Sequence, residues 1–208
     1  MRVLPEVDAN AEAVAAALSA HGACRIAEFP ASDLAHALRE DARRLQHEGA
    51  LARAAVGRAG TRVLRDDIRG DTTLWLDDRR CGDAARDYLQ RLDALRVALN
   101  RRLFLGLAEV EAHYAAYPPG AGYARHRDRF RDDDARVVSL VSYLNPAWRP
   151  GDGGELRLFF DDGDVAIAPR EGSVCFLSEI EHEVLPAQRE RFSIAAWMRR
   201  ASSFHRSS

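Results

Sequence analysis

From Leu107 onward the chain holds no apolar pattern of helical period. Short β-branched or alternating runs follow one another instead: Glu111–Tyr117, Val137–Asn145, Glu155–Phe160, Asp164–Ala168, Ser173–Leu177 and Phe192–Met198. Turn-formers separate them, namely Pro118-Pro119-Gly120, Pro150-Gly151-Asp152-Gly153-Gly154 and Asp161-Asp162-Gly163-Asp164. Gly, Pro and Asp supply the φ values and local hydrogen bonds that tight turns require. Many short strands in succession bury their apolar faces by closing into a sandwich or barrel, and a jelly roll is expected for residues 107–200.

Residues 1–106 read as mainly helical. Ala11–Ala20 carries Val14 and Leu18 at i, i+4, and a second helix is predicted from Ser32, as N-cap, to about His47 with Leu34, Leu38 and Leu45 as its stripe. Asp83–Leu103 forms a third, with Leu89, Leu92, Leu95 and Leu99 at helical spacing. Ala23–Phe29 is a strand candidate between the first two. None of the helices carries a cluster of chemistry, and all are read as scaffold covering one outer face of the barrel. Leu51–Arg69 has no period, and an aperiodic stretch of this length is expected to be a functional loop. The fold class expected is α+β with a mainly β core, in a single domain spanning 1–208.

Bulk properties exclude several classes of function. A net charge of −2 does not suit a nucleic-acid carrier. No run approaches the roughly 20 apolar residues of a membrane span, and Met1–Asn10, with Glu6 and Asp8, reads as neither signal peptide nor anchor. Cys24, Cys81 and Cys175 are few, odd in number and widely spaced, so they suggest no zinc site or disulfide framework and fit a reducing cytoplasm.

The chemistry concentrates in two places. His126-Arg127-Asp128 follows the strand-like Gly122–Arg125. In extended chain, residues i and i+2 face the same side, so an imidazole and a carboxylate can aim at one point. His182 lies far downstream in Glu181-His182-Glu183-Val184-Leu185-Pro186. Two His and one carboxylate on one face of an octahedron leave three positions open, the arrangement of non-heme iron(II) oxygenases. His-x-Asp alone is a weak signal in an Asp-rich chain, and the joint presence of His182 and Arg191 strengthens it. Arg191, nine residues after His182, opens the last apolar run. A guanidinium there can pair bidentately with the far carboxylate of 2-oxoglutarate, and Tyr143 is the candidate hydroxyl to share it. His21, His36, His47, His113 and His205 are assigned no role.

The sequence resembles the prolyl hydroxylase domain family, the animal oxygen-sensing hydroxylases and their bacterial relatives. The matching stretches are Tyr117-Pro118-Pro119-Gly120, Gly122 to Asp128, Tyr143-Leu144-Asn145 with Trp148, and Gly153 to Arg157. His182 to Pro186 and Arg191 to Trp197 complete the C-terminal part, and Asp67 to Asp71 with Trp75 is the more family-specific signal upstream. The resemblance implies a double-stranded β-helix with helices packed on one side. It also implies hydroxylation of a prolyl residue of a protein, with elongation factor Tu as the substrate of bacterial relatives and succinate and CO2 as coproducts. Iron(II), 2-oxoglutarate and O2 are the implied cofactors, with ascorbate admitted as a reductant. Position by position, His126, Asp128 and His182 match iron ligands, and Arg191, Tyr143 and Tyr117 match cosubstrate-binding groups. Arg136 and Trp197 match residues around the incoming proline, while Arg69 and Asp71 match the hinge of a closing loop, here Leu51–Arg69. The chain departs from the family in a shorter Tyr117–His126 turn, an Ala- and Arg-rich loop, and Ala195 where a hydroxyl-bearing residue is common. The alternatives are the same chemistry on a free amino acid or small metabolite, and a non-catalytic jelly-roll binding module.

Overall fold

The structure is a computed structural model, and it describes residues 2–54, 69–129 and 135–201. The elements run β1 (Glu6–Val7), α1 (Ala11–His21), β2 (Ala23–Ile26), α2 (Ser32–His47), β3 (Ala52–Arg53), β4 (Thr72–Trp75) and α3 (Asp83–Leu103). There follow β5 (Leu107–Tyr117), β6 (Tyr123–His126), β7 (Arg136–Tyr143), β8 (Leu156–Phe160), β9 (Gly163–Ile167), β10 (Gly172–Leu177), β11 (Glu181–Val184) and β12 (Arg191–Arg200). An eight-stranded sheet of order β1-β2-β10-β7-β12-β5-β4-β3 faces a four-stranded sheet of order β6-β11-β8-β9. This is the expected double-stranded β-helix with helices on one side.

Period-2 alternation decides what each strand shows to each side. On β12, Phe192, Ile194, Ala196 and Met198 join Ala112, Tyr114 and Ala116 of β5 and the stripes of α1, α2 and α3 in one buried cluster. The opposite parity, Arg191, Ser193, Ala195 and Trp197 on β12 with His113, Ala115 and Tyr117 on β5, lines a cleft on the inner side. β12 pairs with β5 on one edge and β7 on the other, so its backbone is bonded on both sides. Each fully buried Ile or Leu of the helix-facing layer contributes roughly 1.5–3 kcal/mol. A second cluster fills the barrel end, with Tyr143, Val174 and Phe176 against Leu156, Leu158 and Ile167.

The helix boundaries show where local signals were misread. α1 is capped by Asn10, whose Oδ1 accepts from Glu12 N at 2.9 Å, and it stops at Gly22 with φ 73°. α2 begins at Ser32 itself, with Ala31 in the cap position and no side-chain cap bond, so Ser32 is not the N-cap. Sequence reading also passed over the short strands β1, β3, β4 and β11, whose two to four residues are too few for a period to show. The three cysteines are free and buried. Cys24 and Cys175, distant in sequence, are direct partners across β2 and β10. The predicted loop Leu51–Arg69 falls mainly outside the described residues.

Candidate metal centre

β6 and β11 are antiparallel neighbours in the small sheet, with His126 and His182 directly opposite each other. Their ring centroids are 4.2 Å apart. Asp128 lies just past the end of β6, and one potential ligand atom from each of the three side chains falls within 4.8 Å of the others. His126 Nδ1 is 2.8 Å from Ala124 O and His182 Nδ1 is 3.0 Å from Ile180 O. A carbonyl accepts only, so both Nδ1 atoms carry hydrogen and both Nε2 lone pairs are left for a metal. These Nε2 atoms sit 3.7 Å and 3.5 Å from the Asp128 carboxylate oxygens.

Protonation suits the same reading. Burial, then the neighbouring His182, depresses the His126 pKa to about 4, so the ring is neutral at neutral pH. Burial alone would raise Asp128, but the charges of His182, His126 and Arg136 outweigh it and hold the carboxyl at about 2. Ser139 donates to Asp128 Oδ2 at 2.7 Å and contacts Ser178 at 2.9 Å, which fixes the carboxylate plane. Two imidazoles and one carboxylate are a donor set for a divalent first-row metal with open positions.

Deeper in the cleft, Arg191 is 1% exposed. Its Nε donates to Gly154 O and one terminal nitrogen to Ser193 Oγ, both at 3.0 Å. Among the described residues neither the other terminal nitrogen nor Tyr143 Oη has a hydrogen-bond partner. Among the described residues no carboxylate pairs with Arg191. A buried guanidinium without an anion costs several kcal/mol, so the pocket is built for an anionic ligand. Tyr143 lies beside it, its ring 5.5 Å from the guanidinium carbon. Burial, partly opposed by Arg191, pushes its phenol pKa up to about 12, which keeps the hydroxyl a donor. Asn145 places this corner: its amide nitrogen donates to Pro169 O and Phe192 O, and its oxygen accepts from Phe192 N at 2.8 Å. The end of β7 is thereby tied to the first residues of β12. The orphaned pair fits a distal carboxylate such as that of 2-oxoglutarate.

The cleft encloses about 570 Å³ and is lined by eight of the ten residues singled out from sequence: His126, Asp128, His182, Arg191, Tyr117, Arg69, Arg136 and Trp197. The other two are buried partners of lining residues. Asp71 accepts two bonds from Arg69, at 2.6 and 3.0 Å, and Tyr143 lies against Arg191. Asp71 is 2% exposed, so it reaches the cleft only through Arg69. Arg136 stacks on Trp197 at 3.7 Å while pairing with Glu111 at 2.6 Å. Sequence reading gave no role to Ser139, Ser193, Tyr123 or His113, all of which line the cleft. The available signal was parity, since Ser139 shares a face with Tyr143 and His113 with Tyr117. Ser193 provides the hydroxyl beside Arg191 that Ala195 lacks.

The sequence model of the 2OG-Fe(II) oxygenase superfamily matches residues 112–199, a span that includes His126, Asp128, His182, Tyr143 and Arg191. A prolyl-4-hydroxylase from Pseudomonas putida superposes with a TM-score of 0.83 at 47% identity, over 92% of this chain and 99% of that one. This chain belongs to the prolyl hydroxylases of the 2OG-Fe(II) oxygenase superfamily. Iron(II), 2-oxoglutarate and dioxygen are the cofactors of that superfamily. A Trichoplax adhaerens prolyl hydroxylase, solved with a hypoxia inducible factor oxygen degradation domain peptide fragment, has a TM-score of 0.82 at 31% identity. That match covers 91% of this oxygenase and 88% of that chain. The hypoxia-inducible factor prolyl hydroxylase of Caenorhabditis elegans is 32% identical over 143 residues, which is 63% of this chain but 20% of that protein. The match thus spans about a fifth of that relative's length.

Proposed function

We propose that this protein hydroxylates a prolyl residue of a protein substrate, using iron(II), 2-oxoglutarate and dioxygen, with elongation factor Tu as the leading candidate. The observation that carries the reading is the buried, orphaned pair of Arg191 and Tyr143, of which Arg191 lines the same cleft as His126, Asp128 and His182. When bound, iron(II) with 2-oxoglutarate and dioxygen supplies the oxidation that inserts oxygen into a C–H bond and yields succinate and CO2. His126, Asp128 and His182 would hold the metal, with Ser139 keeping the carboxylate oriented. Arg191 and Tyr143 would take the far carboxylate of 2-oxoglutarate, and Tyr117, paired with Arg191 across β5 and β12, would flank it.

Trp197, with Arg136 stacked on it, would form the wall against which the proline ring lies. Arg69 and Asp71 would hold the chain beside that wall. A protein substrate is supported by the Trichoplax relative, whose structure was solved with a peptide fragment. Ascorbate as reductant and a cytoplasmic setting belong to the same proposal; no helix among the described residues is long and apolar enough to cross a membrane.

The test is one incubation of the protein with iron(II), 2-oxoglutarate, oxygen and elongation factor Tu from the same organism. Succinate is quantified, and peptides of the factor are mapped by mass. Succinate with one oxygen added to a proline is the expected result. Succinate with an unmodified factor would move the search to another protein or a free metabolite, and no succinate with iron bound would overturn the assignment of Arg191 and Tyr143.

A further inference from the structure

His113 is a buried imidazole with both ring nitrogens committed. Nδ1 lies 2.9 Å from Tyr114 O, so it carries the hydrogen. Nε2 then offers a lone pair and accepts from the Arg69 guanidinium at 3.3 Å. The same guanidinium donates to both carboxylate oxygens of Asp71, so it is gripped from two sides. Held this way, it lies over one face of the Tyr123 ring, 4.8 Å from the centroid. The Tyr123 ring in turn stacks on His126, with centroids 3.7 Å apart and planes 18° from parallel. The backbone reinforces the layering, because Arg69 bridges Tyr123 and Gly70 N donates to Gly122 O at 3.1 Å.

We infer that His113 is a positioning residue for His126, acting through the Arg69 and Tyr123 layers to hold the imidazole in its metal-binding plane. The hydrogen bond from Nδ1 to Ala124 O restrains the His126 ring at one edge only. A guanidinium held over the Tyr123 ring, which itself stacks on the imidazole, restrains rotation about that edge. The depressed pKa of His113, lowered to about 4 by burial and then by Arg69, agrees with a neutral acceptor. The inference rests on His126 being a metal ligand.

Two substitutions separate acceptor chemistry from packing. His113 also packs against Trp75 and Trp197, with both centroid distances 5.3 Å. His113→Phe keeps a ring there and removes the acceptor. His113→Gln loses the ring and keeps an acceptor for Arg69. Binding of Mn(II) alone, followed by the electron paramagnetic resonance of the free ion, needs neither turnover nor a known substrate. The expected result is a roughly 10-fold weaker affinity for His113→Phe and near wild-type affinity for His113→Gln, the size of change seen when outer partners of metal ligands are removed.

Tyr123→Leu should weaken Mn(II) to a similar degree, and adding His113→Phe to it should have little further effect, because both act along one path. Equal affinities for wild type and His113→Phe, or a larger loss for Gln than for Phe, would overturn the inference. If His113→Phe does not fold, Tyr123→Leu, at a half-buried position, decides by the same measurement, and wild-type affinity there overturns it. Failure of the ligand assignment has a separate signature: His126→Ala would bind Mn(II) as wild type does.

Discussion

Arg191 is a buried strand residue whose guanidinium has no carboxylate partner among the described residues. It is among the largest fully buried side chains, yet its nearest aromatic neighbours, Tyr117 and Tyr143, bring no negative charge. The hydroxyl of Tyr143 likewise has no hydrogen-bond partner among the described residues. Tyr143→Phe should therefore separate binding from stability. The KM for 2-oxoglutarate is expected to rise about 10-fold, the loss of one hydrogen bond to a charged group. The ligand-free protein should melt no lower than wild type, since a buried hydroxyl without a partner is removed. Succinate formation against 2-oxoglutarate concentration and thermal unfolding of the ligand-free protein check the two halves, and an unchanged KM would remove Tyr143 from the site. Arg191 stood out in the sequence because a charge entering an apolar strand is unusual, and Tyr143 only as a hydroxyl that could share its ligand. His113 was not, because a histidine on a strand has many ordinary explanations and its bonds to Tyr114 and Arg69 exist only in the fold.

At the scale of elements, the metal cluster depends on the pairing of β6 with β11. Gly122 sits just before β6, where a Cβ would lie 2.5 Å from Val184 O and 3.3 Å from Pro186 N. Both are backbone atoms, so no rotamer change relieves the contact. Gly122→Ala is expected to push β6 off β11 and move His126 away from His182. Iron(II) or Mn(II) affinity should fall roughly 10-fold or more, and stability by about 1–3 kcal/mol, the usual cost of overpacking. Metal titration and chemical denaturation measure these, and wild-type metal affinity would show that the pairing tolerates the methyl group. The sequence marked Gly122 only as part of a family motif. Its steric reason lies in Val184 and Pro186, more than sixty residues downstream, which periodicity cannot bring near.

At the scale of the whole molecule, the barrel buries ionisable groups whose titration couples to folding. His113 is buried and kept neutral: burial, Arg69 and Arg136 disfavour its charge more than Asp71 and the Tyr114 carbonyl favour it. Its pKa is about 4 in the folded chain against about 6.5 unfolded. The unfolded chain therefore binds more protons between these values, and stability falls as pH drops through this window. His126 acts in the same direction in chelator-treated protein, and Asp128, held at about 2, adds loss only at lower pH. The His113 contribution is on the order of 3 kcal/mol across the window. Denaturation of chelator-treated protein from pH 7 to 4.5 should show a steep acid limb, flattened by His113→Gln; equal slopes in the two proteins would contradict the burial of a neutral His113.

The longer helices and strands and the jelly-roll class followed from sequence alone, and sequence also singled out His126, Asp128, His182 and Arg191, which the fold places in one cleft. Periodicity along β5, β7 and β12 and the two separate half-motifs, His126-Arg127-Asp128 and His182 followed by Arg191, are local properties, and local properties survive in a one-dimensional record. Tertiary structure decided which inward-facing residues meet. It brought Ser139 to Asp128, Ser193 to Arg191, and Arg69 with His113 to Tyr123, because strands remote in sequence become neighbours in the two sheets. It also decided the small elements β1, β3, β4 and β11, which are too short to show a pattern and form only where a longer strand offers its edge.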